Sequence, residues 1–489
     1  MTNFDENDHI AETFLMSNGK LLYKDTFSHH FPLPYYYIYL FFPFWGSRFS
    51  RSISVFRLSL TLLYIFSFLL VFFNLKNKKS YLGFSLMIVI LGLFFTLYHG
   101  NLVLSENFLG ISILSIFWLT APTLLDWENY DIKKAISSTF FAFVGFWSQP
   151  LACPLFLIPF FLLKKHEVKK ITLLVVFINL LPIFYFLKSG QLKFFLEQAI
   201  WFNFSVYPKY YNDLIASYSN SIILQNLLCF LNNELYFFTH FSNSHQLFQF
   251  ILHLSFIIIG VKISKRKNLK YVLAFLILFC VSRVREVKII PGQIFNFGIF
   301  PFLTLSSSTF SIILILFYQK YKILALILIS FFLTLEVINI RPIIKQSLKS
   351  GYNYHVFWSY REDIGKIIND LSFKNESILI YPHDVDLYFF SQRLPPDKFT
   401  YWFPWIDSVK KYRQEREKIL KDSPPAIIYV GSLKFKNDPY YYKNLFPNLL
   451  DQYSQILKEN KITNIWIRND LLERIIPPYS IYSKSKNTN

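Results

Sequence analysis

Residues 55–79 read VFRLSLTLLYIFSFLLVFFNLKNKK, an apolar run closed by Lys76, Lys78 and Lys79. A helix rises about 1.5 Å per residue, so roughly 20 apolar residues cross a hydrocarbon core about 30 Å thick. The run 52–74 meets that length, and a basic cluster directly after it marks the cytoplasmic end of a membrane helix. The pairing recurs along the chain. Further apolar runs cover 81–98, 107–124, 135–150, 151–163, 171–187, 246–262, 271–282, 294–318 and 323–340. That predicts a polytopic α-helical membrane protein of about ten transmembrane helices. Proline in Ser148-Gln149-Pro150 predicts a break between two of them.

The lysines supply an orientation. Clusters stand at Lys133 and Lys134, at Lys164, Lys165, Lys169 and Lys170, from Lys262 to Lys270, and at Lys320 and Lys322. With 75–80 cytoplasmic, every cluster falls on that side. The opposite side then receives 1–51, 98–106, 188–245, 283–293 and everything after 341. The chain's polar start, Met1-Thr2-Asn3-Phe4-Asp5-Glu6, cannot cross a membrane unaided, so a further helix is expected upstream of it.

Composition narrows the function. Charged residues make up 17% of the chain, against roughly 25% in soluble proteins. The net charge of +19 brings nucleic acid to mind, since basic surfaces neutralise phosphates. Its division into short clusters between apolar helices assigns it to loop anchors instead, with no nucleic-acid partner. Almost no charge lies inside the spans, Glu336 being the main exception, which argues against an ion-coupled transporter. Cys153, Cys229 and Cys280 have no metal-binding spacing and are expected as small buried hydrophobes.

After Arg341 the pattern changes. Strand-like runs appear at Ser377–Tyr381, Ala426–Val430 and Asn464–Ile467, with helix-like segments at 359–371, 407–421 and 446–460. Alternation of this kind predicts a C-terminal soluble α/β domain. Three parts follow: an outside segment with surface helices (1–51), a transmembrane helical domain (52–340), and an extracytoplasmic α/β domain (341–489).

The densest polar group lies in the first part: Asp5, Glu6, Asp8 and His9, then Lys24, Asp25, His29 and His30. Glu106 opens a helix after the next outside loop. Carboxylates at a membrane face can take protons or hold a divalent cation through hard oxygen ligands; the plainer alternative is a solvated loop. Side chains of adjacent His29 and His30 diverge in an extended segment, so zinc is not supported. Arg283 and Arg285 end a helix on the outer side and match phosphate geometry, unless they only snorkel to the interface. Lys209 forms an aromatic–basic patch with Tyr207, Tyr210 and Tyr211.

Taken together, Asp5-Glu6-Asn7-Asp8-His9-Ile10, Asn18-Gly19-Lys20, Tyr23-Lys24-Asp25, His29-His30 and Pro32-Leu33-Pro34-Tyr35 resemble the first outside loop of bacterial GT-C glycosyltransferases. The branch they are most similar to is that of the protein O-mannosyltransferases and lipid A aminoarabinose transferases. Its members read Asp-Glu, a surface helix, Gly, Tyr-x-Asp and a His-Pro-Pro string. This chain departs from that string, with His29-His30-Phe31-Pro32. The stretch from Tyr381 to Tyr388 and on to Arg393-Leu394-Pro395-Pro396 also looks like the C-terminal region of bacterial relatives. The resemblance spans the whole chain through short motifs.

That resemblance implies transfer of a sugar from a polyprenyl-phosphate carrier to a lipid, glycan or protein acceptor, with inversion. The place implied is the outer face of the bacterial cytoplasmic membrane. Asp5, with Glu6, would be catalytic base or ligand to Mg²⁺ or Mn²⁺, and Glu106 would match the second-loop acid and share such an ion. Lys24, Asp25, His29, His30, Lys209, Arg283 and Arg285 would contact the substrates. Two other classes compete: a lipid-linked oligosaccharide polymerase or ligase, relying on late-loop arginines, and a non-enzymatic lipid or glycan transporter.

Overall fold

A computed structural model describes residues 4–44, 49–94, 102–207, 244–265, 268–283, 300–327, 329–330, 360–431, 449–459 and 461–481, with single positions at 334, 341 and 345. The chain is mostly helical. Helix α1 (Phe4–Ser17) and α2 (Leu33–Leu40) precede α3 (Phe49–Asn74), α4 (Lys78–Phe94), α5 (Ser105–Leu124) and α6 (Ile132–Ser148). Then come α7 (Leu157–Leu162), α8 (Lys165–Lys188), α9 (Leu192–Phe195) and α10 (Phe202–Ser205). The helical part closes with α11 (Ser244–Ser264), α12 (Leu269–Ser282) and α13 (Phe300–Lys320). Among the described residues four helices are long and apolar enough to cross a membrane, at Val55–Asn74, Ser105–Leu124, Lys165–Lys188 and Phe300–Lys320. Shorter apolar helices run Pro150–Leu162, Phe250–Ser264 and Leu269–Ser282. Glu336 lies outside the described residues.

Helix α5 is the hub, buried along its whole length. Small residues let its neighbours approach. A Cβ on Gly110 would stand 2.8 Å from the Phe300 ring of α13, and one on Gly145 of α6 would stand 3.2 Å from Ser112. Most polar side chains buried there bond within the bundle, the Ser115 and Ser307 hydroxyls being exceptions. Ser112 donates to Phe108 O at 2.8 Å, Thr120 to Ile116 O at 2.8 Å, and Trp118 Nε1 to Ser308 at 3.0 Å. By contrast α8 leaves Leu173, Phe177, Leu180 and Phe184 uncovered.

Carboxylates tie one end of the bundle. Glu128 accepts the backbone N–H groups of Lys76 (3.0 Å) and Asn77 (2.7 Å) and pairs with Lys134 at 2.6 Å. The lysines after α3 and those opening α6 therefore share one end. The break at Ser148-Gln149-Pro150 is present: Gln149 turns extended (φ −149°, ψ 113°) and a 3-10 segment, Pro150–Phe156, follows. Two cysteines correct the expectation, since Cys153 and Cys280 are free and exposed. They stand on outward helix faces, where an apolar thiol needs no protein cover if lipid supplies it. Cys229 lies outside the described residues.

The C-terminal region carries a five-stranded mixed sheet ordered β1-β2-β4-β3-β5. After a helix over 360–371, β1 (Ile378–Tyr381) runs parallel to β2 (Ile427–Val430). The crossover holds α14 (Asp386–Ser391), α15 (Pro404–Asp407) and α16 (Lys410–Asp422). The rest is antiparallel: β3 (Tyr453–Lys458), β4 (Lys461–Arg468) and β5 (Tyr479–Ile481). The helix expected over 446–460 is corrected to a 3-10 turn and strand β3. Tyr453 and Ile456 face the core, and Glu459 takes the left-handed conformation (φ 52°) that closes the hairpin onto β4.

Candidate functional site

Helix α1 carries the acids and is enclosed rather than solvated. It ends at Ser17 through Gly19 (φ 82°), whose N–H bonds Met16 O at 3.0 Å while Lys20 N–H bonds Leu15 O at 3.1 Å. Ile10, Ala11, Phe14 and Leu15 supply an apolar stripe that is fully buried. Phe14 meets Phe389 of α14 edge-on at 5.7 Å. The helix is therefore wedged between the bundle and the C-terminal domain.

Its polar residues are held from both sides. Arg57 of α3 grips Glu6, Nη2 to Oε2 at 2.6 Å and Nε to Oε1 at 3.2 Å. Glu6 Oε1 also accepts Val103 N–H at 3.1 Å, and His9 Nδ1 bonds Val103 O at 2.8 Å. So Glu6 and His9 lock α1 to the strand-like segment just before α5, whose first turn carries buried Glu106. Asp8 accepts the Tyr35 hydroxyl at 3.0 Å, and Tyr35 in turn meets Ser28 at 2.6 Å. On the other side Thr400 donates to Glu12 Oε1 at 2.7 Å. Burial pushes Glu12 up to about 8, the Thr400 and Thr26 hydroxyls pulling it only part of the way back.

The segment after α1 is clamped in the same way. Phe27 N–H bonds Lys398 O at 2.7 Å, and its ring packs among Phe202, Phe399 and Tyr412. Ser28 N–H bonds Gln198 Oε1 at 2.9 Å. Glu197 binds Lys411 at 3.0 Å and the Tyr412 hydroxyl at 3.0 Å. Burial raises the Glu197 carboxyl, but those two partners more than offset it and hold it below the ordinary range.

His29 and His30 do not diverge. Their rings lie 4.2 Å apart, tilted by 37°. The expectation is corrected because His29 Nδ1 is fixed by the Tyr401 hydroxyl at 2.8 Å and its carbonyl by Asn203, while His30 meets the His9 ring at 5.4 Å. Beside them is a partly open cavity of about 90 Å³ lined by His29, His30, Phe31, Gln149, Asn203 and Tyr207.

The other sequence candidates scatter. Asp25 closes its own turn, accepting Leu21 N–H at 2.9 Å, and Lys24 is exposed beside Gly190. Arg283 is buried at the end of α12, with Nη1 2.9 Å from His253 Nε2 and its guanidinium 4.2 Å above the Phe302 ring. The backbone of Asp5 lies in the first turn of α1, one turn before His9; its side chain, Lys209 and Arg285 lie outside the described residues. Arg57, Glu12 and Thr400 were not singled out as chemistry from sequence. Arg57 alone left a signal, being a lone cation within an apolar run. No protein-family model matches the chain, and no curated protein or solved structure matches it.

Proposed function

We propose that the chain is a multi-pass membrane glycosyltransferase. It would move a sugar from a polyprenyl-phosphate carrier to a lipid, glycan or protein acceptor at the outer face of the cell membrane, as the GT-C enzymes that its first segment resembles do. One observation carries this reading: Glu6, Asp8, Glu12 and Glu106 are all buried around helix α1. Burying carboxylates is costly, and a loop without a task would leave them in water. Helices of spanning length and an outward apolar face on α8 support the membrane placement and the larger helix count.

The division of labour follows from the partners. Arg57 engages both Glu6 oxygens, so Glu6 positions α1, and Asp5 is the base. The Asp5 carboxylate takes the proton of the acceptor hydroxyl as that oxygen attacks the anomeric carbon. The bond from that carbon to the carrier's phosphate oxygen breaks, and polyprenyl phosphate leaves with the electron pair. Inversion follows from a single in-line displacement. Hard carboxylate oxygens suit Mg²⁺ or Mn²⁺. Asp5 and Glu106 are the residues that would hold such an ion, which would supply charge stabilisation at the leaving phosphate.

The buried Arg283–His253 pair favours one second reading, a polymerase or ligase using that arginine on a carrier pyrophosphate. The test uses full-length protein in nanodiscs with a panel of radiolabelled polyprenyl-phosphate sugars, with and without Mn²⁺. Transfer lost in Asp5→Asn supports the first reading, and metal dependence separates base from ligand. Transfer that survives Asp5→Asn but fails in Arg283→Ala supports the second. A well-folded protein that transfers nothing from any donor defeats the first.

A further inference from the structure

Helix α1 is wedged between the bundle and the C-terminal domain, so a proton taken up by one of its carboxylates needs a route to water. Most of its polar contacts offer none. Glu6 is committed to Arg57 and Glu12 to Thr400. At Asp8 the hydrogen bonds run one way. Tyr35 donates to Asp8 at 3.0 Å, so its oxygen accepts from Ser28 at 2.6 Å, and Ser28 Oγ accepts the backbone N–H of His30 at 3.2 Å. That chain begins on a peptide N–H, which does not ionise, and it carries no proton out.

The histidines offer a route. His9 Nδ1 meets the Val103 carbonyl at 2.8 Å. A carbonyl only accepts, so Nδ1 carries the hydrogen and the neutral ring keeps its lone pair on Nε2. Residues four apart on a helix are neighbours, and His9 follows Asp5 by that interval. The His9 ring meets His30 edge-on at 5.4 Å, and His30 lies 4.2 Å from His29. Cover falls away along this row, since His9 is buried and His30 only half-buried. The backbone of His30 is fixed by Ser28 and by the Tyr23 hydroxyl, which donates to His30 O at 2.8 Å. Its ring lines the partly open cavity with Gln149, Asn203 and Tyr207. The proline break makes that opening, because Gln149 leaves α6 in an extended conformation. A space of about 90 Å³ with amide, imidazole and hydroxyl groups in its wall suits a few water molecules, which need such partners.

We infer that His9 and His30 form a proton exit, by which the acceptor's proton passes from Asp5 to water in the cavity. Protonated Asp5 gives its proton to His9 Nε2 and becomes a carboxylate again. The His9 imidazolium passes that proton to a ring nitrogen of His30 and returns to the neutral form held by Val103. His30 releases it to a cavity water as hydronium, so one proton leaves for each sugar transferred. Histidine suits this task because its charge change ordinarily falls between about pH 5 and 8. Beside His9 stand Tyr35, which holds Asp8, and the Glu6–Arg57 pair across Val103. Beside His30 stand His29 and Tyr23, with Asn203 and Tyr207 across the cavity. Tyr401 of the C-terminal domain holds His29 at 2.8 Å. Both relay histidines act through Asp5 and not on the sugar. The route rests on the glycosyltransfer reading and adds to it the regeneration of the base.

The test measures turnover against pH for the full-length protein in nanodiscs, using the panel of polyprenyl-phosphate sugars. Wild type is compared with His30→Ala and His30→Gln, with and without added imidazole, and melting temperatures are taken alongside. Both variants are expected to lose about 10²-fold in turnover number, the low end for a proton-transfer group, with KM for the donor near wild type. Imidazole should restore His30→Ala in proportion to its free base, because the vacated space adjoins an open cavity. Glutamine keeps the bulk and hydrogen bonding of His30 but does not titrate, so wild-type turnover and pH profile in His30→Gln overturn the inference. A folded His30→Ala that loses turnover and is not rescued by imidazole overturns it too, since His30 is then a packing residue. If His30→Ala does not fold, the pH profile of His30→Gln decides alone. Transfer lost in Asp5→Asn but intact in His30→Gln sinks the proton exit and leaves the glycosyltransfer reading standing. No transfer at all by a well-folded wild type defeats that reading, and the exit falls with it.

Discussion

The Thr400 hydroxyl donates a 2.7 Å hydrogen bond to Glu12, across 388 positions of sequence. It fastens the acidic helix to the C-terminal domain through a carboxyl that burial has lifted to about 8. The folded protein thus keeps a proton that the unfolded chain releases near 4.5. The stabilisation is fully present below that lower value and is lost as pH rises toward 8, at no more than about 1.4 kcal/mol per pH unit for one proton. Thermal melts of the wild type are expected to fall across pH 5 to 8. In Glu12→Gln that decline should be absent, and an equally steep decline would remove Glu12 as its source.

Arg57 and Glu6 form a pair in which Glu6 is buried and Arg57 half-buried, with side-chain exposures of 1% and 16%. Removing one partner strands the other, a loss of roughly 3–5 kcal/mol. Arg57→Ala should therefore melt well below wild type. The double variant Arg57→Met with Glu6→Gln should regain most of that loss, because neither residue is then left charged. Equal melting of the single and double variants would mean that the pair is not what holds α1 in place.

Asp5→Asn should lower the turnover number by roughly 10² to 10⁴, the usual contribution of a general base, while leaving the melting temperature near wild type. Glu6→Gln should instead depress both, since its carboxylate anchors the helix. A similar melting loss in the two variants would argue that Asp5 is a second anchor.

Gly431 follows β2 and lies against the loop after β1, where its N–H bonds Tyr381 O at 2.6 Å. A Cβ there would stand 2.1 Å from Asp384 Oδ2, and Asp384 is the partner of Arg361 at 2.6 Å. Gly431→Ala should destabilise the C-terminal domain by about 1–3 kcal/mol, the usual cost of overpacking. Calorimetry that resolves this domain's transition would measure the drop, and an unchanged transition would show that Asp384 can move aside freely.

Much of the architecture was legible because it rests on local pattern. The β-branched and aromatic runs at Ser377–Tyr381 and Ala426–Val430 became β1 and β2, and Pro150 broke a helix where proline must. Residues 446–460 misled for the opposite reason. Their local content suits a helix, but pairing with β4 across a left-handed Glu459 decides the outcome, and strand preference is set by such partners. The site was less legible still. His29 is aimed by Tyr401, 372 positions away, and Glu6 is neutralised by Arg57, 51 positions away. Nothing in the spacing of Asp5, Glu6, Asp8 and His9 announces which of them is already spoken for.

The contact between Glu12 and Thr400 also sets an order in time. Helix α1 is made well before its partners, since one of its faces rests on residues near 389 and 400. At roughly 5–20 residues per second, α1 must wait about 20–80 seconds after its own synthesis for that face to be covered. Until then Phe14 and Glu12 are uncovered on the helix that carries the acids. The protein therefore completes its acidic helix only when synthesis has passed Thr400, and a chain truncated before that residue would leave the helix half-clad.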